Sequence, residues 1–211
     1  MIKQKTGLFI FFLCIVVPVH IKAKESKTKE AGQWALARET KGVSIYYRWI
    51  VNDTVKTREM RAKFKIKADV AEILPQFSEV ENYYCWAVGI KKCEIKKLNE
   101  NSWVTYTLMD YPWPFKQKDL VTRYLVRIFS DETTISVYSD PNFFAKKDGV
   151  ERVQNYFGEW KFRTNKSGTT EVDYRVVSYV KPVFPRFIQD PVIQKLFIDS
   201  FHELKLLAET K

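Results

Sequence analysis

The segment that follows Asp190 carries the sequence feature that most restricts the possible folds of this chain. Asp190 is predicted to be an N-cap and Pro191 to occupy the first helical position, because both residue types are favoured there. The apolar side chains that follow recur at helical spacing and form one broad stripe: Val192, Ile193, Leu196, Phe197, Phe201, Leu204 and Leu207. A stripe of this width has to be buried against another apolar surface.

The residues before this helix are predicted to supply that surface as β-strands. Val172, Tyr174 and Val176 alternate with charged residues, which indicates a strand with one buried face. Strands are predicted over 43–51, 56–67, 92–98, 102–109, 119–129, 133–139, 150–163 and 169–180, with a hairpin turn over 165–168. The sequence therefore predicts an α+β fold in which a curved antiparallel β-sheet wraps around the long C-terminal α-helix.

Three other segments complete the prediction. Residues 30–39 are predicted to form a short helix, and residues 82–90 an aromatic bend. Asp69 and Glu72 have the spacing of a capping box, so a helix is predicted to begin there and to kink at Pro75.

The first 23 residues have the layout of a secretory signal peptide. Lys3 and Lys5 precede an apolar run over residues 8–17, which is too short for a permanent membrane span. Ala23 is a small residue at the predicted cleavage site. We therefore expect export to the periplasm or the extracellular space, with residues 24–211 as one domain. An uncleaved N-terminal anchor is the alternative.

The charge balance is basic but dispersed. The chain has 35 Lys and Arg against 25 Asp and Glu, and residues 1–23 contain three of the lysines and no acid. The mature chain therefore has a net charge of +7. Because the basic residues are spread along predicted strands, they favour solvated faces over a nucleic-acid site. Weak, transient contact with an anionic membrane surface is compatible with this charge.

Few residues suit catalysis or metal binding. Only His20 and His202 are present, and the motifs of serine hydrolases, phosphate-binding loops, CxxC redox proteins and HExxH metalloenzymes are absent from the sequence. We predict neither catalytic residues, nor a metal, nor a cofactor. Cys85 and Cys93 remain after processing, either as a disulfide or as two free thiols.

Residues 110–121 read DYPWPFKQKDLV and resemble the P-W-P-x-x-x-R-D-F-V segment of START (StAR-related lipid-transfer) domains. Arg152, Trp160 and the Gly168-Thr169-Thr170 hairpin are similar to later motifs of that family, and the resemblance spans roughly residues 34–208. The chain departs from the pattern at Lys118-Asp119-Leu120 and before the last helix, where mainly Pro185 matches.

The resemblance implies a helix-grip fold with a lipid-sized tunnel under the C-terminal helix, and binding or transfer of a hydrophobic ligand by a monomer. Sterol-binding relatives carry an acidic residue and an Arg on facing pocket strands, and the matching positions here are Thr105 and Tyr124. This departure disfavours a sterol and predicts a pocket with neutral hydrogen-bonding groups.

The residues predicted to line the pocket are Thr105, Thr107, Tyr124, Val126, Asn155, Val172 and Tyr174, with Phe197 and Phe201 as its lid. Trp86 and Trp113 are predicted to shape its entrance. For each of them, ordinary core packing is the alternative. Two other functions stay open: a polyketide cyclase-like enzyme that uses the same pocket, which export disfavours because polyketide assembly is cytosolic, and a protein-interaction module.

Overall fold

The computed structural model describes residues 31–52, 55–110, 117–179 and 185–210. Ten strands and four helices occur among them. The strands are β1 Ala35–Thr40, β2 Val43–Asn52, β3 Val55–Ile66, β4 Ile90–Asn99, β5 Ser102–Met109, β6 Lys118–Ile128, β7 Thr133–Ser139, β8 Glu151–Val153, β9 Tyr156–Thr164 and β10 Thr170–Ser178. The helices are α1 Val70–Ile73, α2 Pro75–Ser78, α3 Val80–Trp86 and α4 Arg186–Glu209.

All ten strands belong to one sheet. Its order is β1-β2-β3-β10-β9-β7-β6-β5-β4, and each of these neighbours pairs antiparallel. β8 pairs with β6 in parallel, off this path. Because β3 pairs with β10, the β2–β3 hairpin lies beside a strand that comes more than a hundred residues later in the chain. The predicted α+β sheet with a long C-terminal helix is confirmed.

One face of the sheet, called the inner face below, packs against the helices. Val43, Ile45 and Ala62 are fully buried there, and Phe201 and Leu204 of α4 lie in the same apolar cluster. The alternation predicted for β3 and β10 is therefore confirmed, with apolar residues inward and charges outward. Outward charges pair across strands, as Arg61 does with Asp173.

A second, smaller cluster lies on the opposite, outer face. Val104, Tyr106 and Val121 are buried there, beneath Phe143 and Phe144 of the segment that follows β7. This segment is held by Arg152, which donates hydrogen bonds to three of its carbonyls, those of Pro141, Phe144 and Ala145. Arg152 also forms a two-pronged ion pair with Asp119, with distances of 3.0 and 2.7 Å.

The helix predicted over residues 30–39 is wrong. Residues 35–40 form strand β1, paired with β2 through Ala35 with Tyr47 and Thr40 with Val43. Its side chains are mostly exposed. The side chains of β1 therefore give no apolar pattern that would mark a buried face. The segment is a strand because its backbone pairs with β2 in the folded protein.

The bend predicted over residues 82–90 is wrong over its first part, which belongs to α3. Tyr83 and Trp86 are one helical turn apart and are both buried, so packing of this face stabilises a helix of only seven residues. The capping box of Asp69 and Glu72 and the interruption at Pro75 are confirmed.

The C-terminal helix begins earlier than predicted. Pro185 is the N-cap, and its carbonyl accepts hydrogen bonds from the amides of Ile188 and Gln189 at 2.9 and 3.1 Å, which closes the first turn before Asp190. Pro191 lies inside the helix. Asp190 pairs with Arg58 of β3 instead of capping.

The apolar stripe of α4 is buried only over its second half. Ile198, Phe201 and Leu204 are buried, whereas Val192 is 58% exposed and Leu196 36% exposed. No helix in the described part of the chain is long and apolar enough to cross a membrane.

The structure holds Cys85 and Cys93 as free thiols, so the disulfide alternative is not realised. Cys85 lies exposed on α3, where its Sγ donates to the carbonyl of Glu81 at 3.2 Å. Cys93 lies buried on β4. Because α3 turns the Cys85 side chain toward solvent and β4 turns that of Cys93 toward the core, the two thiols face different surroundings.

Candidate functional site

Four tyrosines converge on the inner face between α3 and the sheet. The hydroxyl oxygens of Tyr83 and Tyr124 lie 3.3 Å apart, and those of Tyr156 and Tyr174 lie 2.8 Å apart. Each pair shares a hydrogen bond. Because one hydroxyl of each pair donates to the other, each pair keeps one O–H that can be offered elsewhere.

The elements that carry these tyrosines explain how they meet. Tyr83 faces the sheet from α3, Tyr124 lies on β6, and Tyr156 is the first residue of β9. Gly158, two residues further on β9, lies beside both rings of the second pair: a Cβ there would be 3.5 Å from Tyr156 and from Tyr174. Gly158 therefore lies in van der Waals contact range of both rings of this pair.

Burial keeps the cluster uncharged. Removal from water raises the pKa of all four phenols, and the neighbouring phenols raise those of Tyr83, Tyr156 and Tyr174 further. Burial, helped by Glu94, also raises the pKa of the Cys93 thiol to about 12. The site therefore offers neutral O–H and S–H groups at physiological pH.

The buried charges of the described residues lie elsewhere. They are Glu59, Asp119 and Arg152. Glu59 points outward from β3 and pairs with Arg48, and Asp119 pairs with Arg152 on the outer face. The expectation of neutral hydrogen-bonding groups around Thr105 and Tyr124 agrees with this placement.

On the inner face of β5, two polar atoms are buried without a hydrogen-bond partner among the described residues. They are Nε1 of Trp103 and Oγ1 of Thr105. Trp103 stacks on Tyr124, with ring centroids 5.1 Å apart and an interplanar angle of 12°. Thr105 lies two residues after Trp103 on the same face of β5, and it pairs with Thr122 of β6. An indole N–H can only donate, so Trp103 lacks an acceptor.

Most of the residues predicted to line the pocket do lie on the inner face. Thr105, Thr107, Tyr124, Val172 and Tyr174 are buried, and Val126 is half-buried against the core. Thr107 is satisfied within the protein, because its Oγ1 donates to the carbonyl of Leu120 at 3.3 Å.

Asn155 does not belong to this set. Its side chain is exposed, and its carbonyl accepts a hydrogen bond from the amide of Tyr179 at 3.1 Å. The strand predicted over 150–163 is interrupted at residues 154 and 155, because β8 pairs with β6 whereas β9 pairs with β7 and β10. The interruption places Tyr156 on the inner face in place of Asn155.

The two phenylalanines of the predicted lid differ. Phe201 is only 1% exposed, stacks on Phe64 at 4.9 Å and meets the edge of Trp160 at 5.6 Å. Phe197 is half-buried and lies 6.1 Å from Tyr174. The structure therefore gives Phe201 the packing of a core residue and leaves Phe197 at the boundary.

Trp86 is also a core residue and not part of an entrance. Its Nε1 donates to the carbonyl of Gln76 at 2.7 Å, and its ring lies 5.1 Å from that of Phe77. Trp113 lies outside the described residues.

Sequence reasoning missed Tyr83, Trp103 and Tyr156. The sequence pattern predicts a bend around Tyr83, which therefore has no predicted face, and the strand break before Tyr156 shifts the alternation by one residue. Trp103 could have been found, since it shares the predicted inward face of β5 with Thr105. The Asp119–Arg152 ion pair could not be predicted from the sequence, because nothing in the local pattern predicts that β6 pairs in parallel with β8.

A groove of about 320 Å³ opens beside Trp103 at the β4–β5 turn, lined by Ser78, Lys97, Leu98, Asn99 and Glu100. The tunnel under α4 implied by the family resemblance stays a prediction. No group of three His, Cys, Asp or Glu side chains that could hold a metal ion occurs among the described residues.

Comparisons with known proteins give one sequence relative and several structural ones. No family model matches the chain. An uncharacterized protein of Pseudomonas aeruginosa is 27% identical over 183 residues, which are 86% of this chain and 89% of that protein.

The solved structures that this fold matches include lipid-transfer proteins. A STAR-related lipid transfer protein from Xanthomonas axonopodis matches with a TM-score of 0.73 at 18% identity, over 83% of this chain and 98% of that chain. Human StAR-related lipid transfer protein 5 matches with a TM-score of 0.66 at 14% identity, over 83% and 86%. An aromatase/cyclase from Streptomyces matches with a TM-score of 0.51 at 14% identity, over 72% and 93%. The chain therefore has the helix-grip fold of START lipid-transfer domains.

Proposed function

We propose that the protein binds an uncharged, lipid-like molecule between the inner face of the sheet and α4, and that it is a carrier or receptor without catalytic activity. The observation that carries this proposal is the pair of unpartnered polar atoms on the inner face of β5, Trp103 Nε1 and Thr105 Oγ1, beside the four-tyrosine cluster. The lipid-transfer proteins that share the fold support the same interpretation.

The unpartnered donors favour a ligand with an oxygen acceptor. A buried donor without a partner costs on the order of 1–3 kcal/mol. A carbonyl, ester or hydroxyl oxygen placed near Trp103 and Thr105 would remove that cost. The aromatic rings around the site, Trp160 and Phe197 among them, would contact the apolar body of the ligand.

The described inner-face residues around the tyrosine cluster include no buried charge, which disfavours a charged headgroup there. Placing a phosphate or carboxylate there would remove it from water without an ion-pair partner, which costs far more than a neutral group does. The tyrosines and Cys93 stay protonated and offer no compensating charge. We therefore favour neutral lipids over phospholipids whose headgroup is enclosed.

Ligand entry requires the first half of α4 to move, because Phe201 and Leu204 anchor the second half in the core. The first half is held mainly by polar contacts, such as the ion pair of Asp190 with Arg58. Half-buried Phe197 would then be the boundary between the moving and the fixed parts.

The experiment is native mass spectrometry of the protein purified from its own host, followed by lipid identification. We expect an uncharged lipid at one copy per chain. Trp103→Phe keeps the stacked ring but removes the donor, so ligand affinity should fall about tenfold, the equivalent of one hydrogen bond. Tyr106→Phe is the matched control, because it removes an unpartnered hydroxyl on the outer face.

Two outcomes would contradict the proposal. The first is an empty interior together with a stoichiometric protein partner, as a protein-interaction module would give. The second is equal loss of ligand affinity in Trp103→Phe and Tyr106→Phe, since only the first residue lies on the inner face.

A cyclase-like enzyme is the second candidate, favoured by the aromatase/cyclase with a similar fold. Acid–base catalysis at neutral pH needs a group whose pKa lies near 7. Burial moves the pKa of the inner phenols and of Cys93 away from that range. We therefore favour binding without chemistry, and recovery of a chemically altered ligand after incubation would support the enzyme instead.

We also propose that the protein is exported and acts in the periplasm or outside the cell, on the strength of the signal-like residues 1–23. N-terminal sequencing of the protein from its host tests this. A mature chain that begins at Lys24 is expected, and a cytosolic chain that begins at Met1 would contradict it.

A further inference from the structure

The inner face of the β2–β3 hairpin changes character toward its tip. Near the middle of the sheet this face carries apolar residues such as Ile45 and Ala62, which oppose each other across the two strands. Closer to the tip, Trp49 lies opposite Arg58. Lys56 follows two residues from Arg58 on the same face, since side chains alternate along a strand. The core side of the hairpin thus ends in an aromatic ring and two cations.

Three cations surround the ring of Trp49. Nζ of Lys56 lies 4.9 Å from the ring centroid, and Cζ of Arg58 lies 5.9 Å from it. The third cation comes from the first turn of α4, where Cζ of Arg186 lies 5.1 Å from the centroid. Trp49 is itself 44% exposed, so its ring is open to a partner.

The cations of this surface outnumber its acids. Among the described residues, Asp190 is the carboxylate that pairs here, and its partner is Arg58. Lys56 and Arg186 form no ion pair with any described residue. The neighbouring sequence segments contain Asp53 and Lys181, whose charges cancel, so the net charge of this region stays positive.

Exposed apolar side chains lie directly beside the cations. Phe187 follows Arg186 at the start of α4 and is 79% exposed. Ile188 is 50% exposed and Val192, one helical turn later, is 58% exposed. Large apolar side chains with such exposure, next to a cluster of cations, are typical of a surface that meets a partner with an apolar interior and an anionic edge.

We propose that this surface, formed by Trp49, Lys56, Arg58 and Arg186 with Phe187, Ile188 and Val192, docks on a lipid bilayer that contains anionic lipids. An indole ring prefers the boundary between headgroups and acyl chains, and basic side chains there reach anionic headgroups with their apolar stems buried. A free phosphate would use the cations but not Phe187. The proposal stands independently of what the interior binds.

The test is co-sedimentation of the protein, purified from its host, with vesicles of phosphatidylcholine plus phosphatidylglycerol and with vesicles of phosphatidylcholine alone. Lys56→Gln with Arg186→Gln removes the two cations that form no ion pair with a described residue. Affinity for the anionic vesicles should fall about fivefold for each cation, because a basic side chain near such a surface contributes about 1 kcal/mol. Binding should also weaken with added salt.

The matched control is Lys63→Gln with Lys166→Gln. It makes the same change in net charge on the outer face and in the 165–168 turn. An equal loss of binding in this control would overturn the proposal, because net charge alone would then explain the attraction. Unchanged binding in the Lys56 and Arg186 variant would overturn it as well.

Phe187→Ser isolates the apolar part. It should reduce the binding that persists at high salt, and an unchanged salt-resistant fraction would contradict insertion into the bilayer. Analytical ultracentrifugation without vesicles tests whether this surface instead binds a second copy of the chain. If the protein is a dimer and the Lys56 and Arg186 variant is a monomer, this surface binds a second copy of the chain, and the bilayer proposal is overturned.

Discussion

Arg152 Nη2 lies 2.7 Å from Asp119 Oδ2, and both side chains are almost completely removed from solvent, with exposures of 2% and 1%. The remaining guanidinium hydrogens point at backbone carbonyls of the segment after β7. This buried pair joins β6, β8 and the segment that covers the outer face, so it stabilises a part of the fold far from the tyrosine cluster.

Asp119→Ala should therefore lower the free energy of unfolding by about 3–5 kcal/mol, because it leaves the guanidinium of Arg152 buried without its counter-charge. Urea unfolding followed by circular dichroism measures this. Glu151→Gln on β8, next to Arg152, is the control: its ion pair with Lys118 is largely exposed on the Glu151 side, and its loss should cost less than about 1 kcal/mol. Similar losses for both variants would contradict the structural role of the buried pair.

Phe201→Ala should destabilise the protein by about 3–5 kcal/mol, because a fully buried ring is replaced by a cavity between Phe64, Trp160 and Tyr174. Thermal or urea unfolding tests this. Leu196→Ala is the comparison on the exposed half of α4, with an expected loss below about 1 kcal/mol. A change at Phe201 that removes ligand binding with full stability would instead support the lid role predicted from the sequence.

Stability should fall as the pH rises above the ordinary tyrosine pKa of 10.0. Burial raises the pKa of Tyr83, Tyr124, Tyr156 and Tyr174 in the folded protein, so the unfolded chain releases those protons first. The stabilisation is fully present below the unfolded pKa and is lost as the pH approaches the folded values. Urea unfolding at pH 8 and at several pH values above about 10 measures this. A stability that does not change over this range would contradict the burial of the four phenols.

Cys85 and Cys93 should react differently with iodoacetamide. The exposed thiol of Cys85 should be alkylated in the folded protein. Cys93 should be protected until urea is added, because it is buried and burial raises its pKa to about 12, which suppresses the reactive thiolate. Mass spectrometry of alkylated peptides distinguishes the two. A protein with neither thiol reactive after unfolding without reductant would contain the disulfide instead.

Much of the fold follows from local patterns. Alternation located β3, β6 and β10 within one or two residues, because each strand has one face on the core and the side chains of a strand alternate. The spacing of Asp69 and Glu72 located α1 for a similar reason, since both capping contacts lie within four residues of chain.

The errors occur where a distant partner decides the local structure. Residues 35–40 are a strand because β2 lies beside them, and the break before Tyr156 exists because β8 pairs with β6 and β9 with β7. Asp190, predicted to be the N-cap of α4, instead pairs with Arg58 of β3. None of these partners is near in sequence, so local propensity alone predicts a different result.

The candidate site divides in the same way. Thr105, Tyr124, Val172 and Tyr174 could be predicted, because each lies inward in a strand whose alternation is regular. Their pairing with Tyr83 and Tyr156, and the lack of a partner for Trp103, depend on distances between four separate elements.

The sequence by itself determined that a curved antiparallel sheet holds a long C-terminal helix, because hydrophobic periodicity is a local property that requires a buried face. Only the tertiary structure decided which polar groups meet on that face, which of them stay unpaired, and that the first half of α4 is left exposed with Arg186 on Trp49. Hydrogen bonds and burial depend on atoms from distant parts of the chain, and the folded geometry alone brings those atoms together.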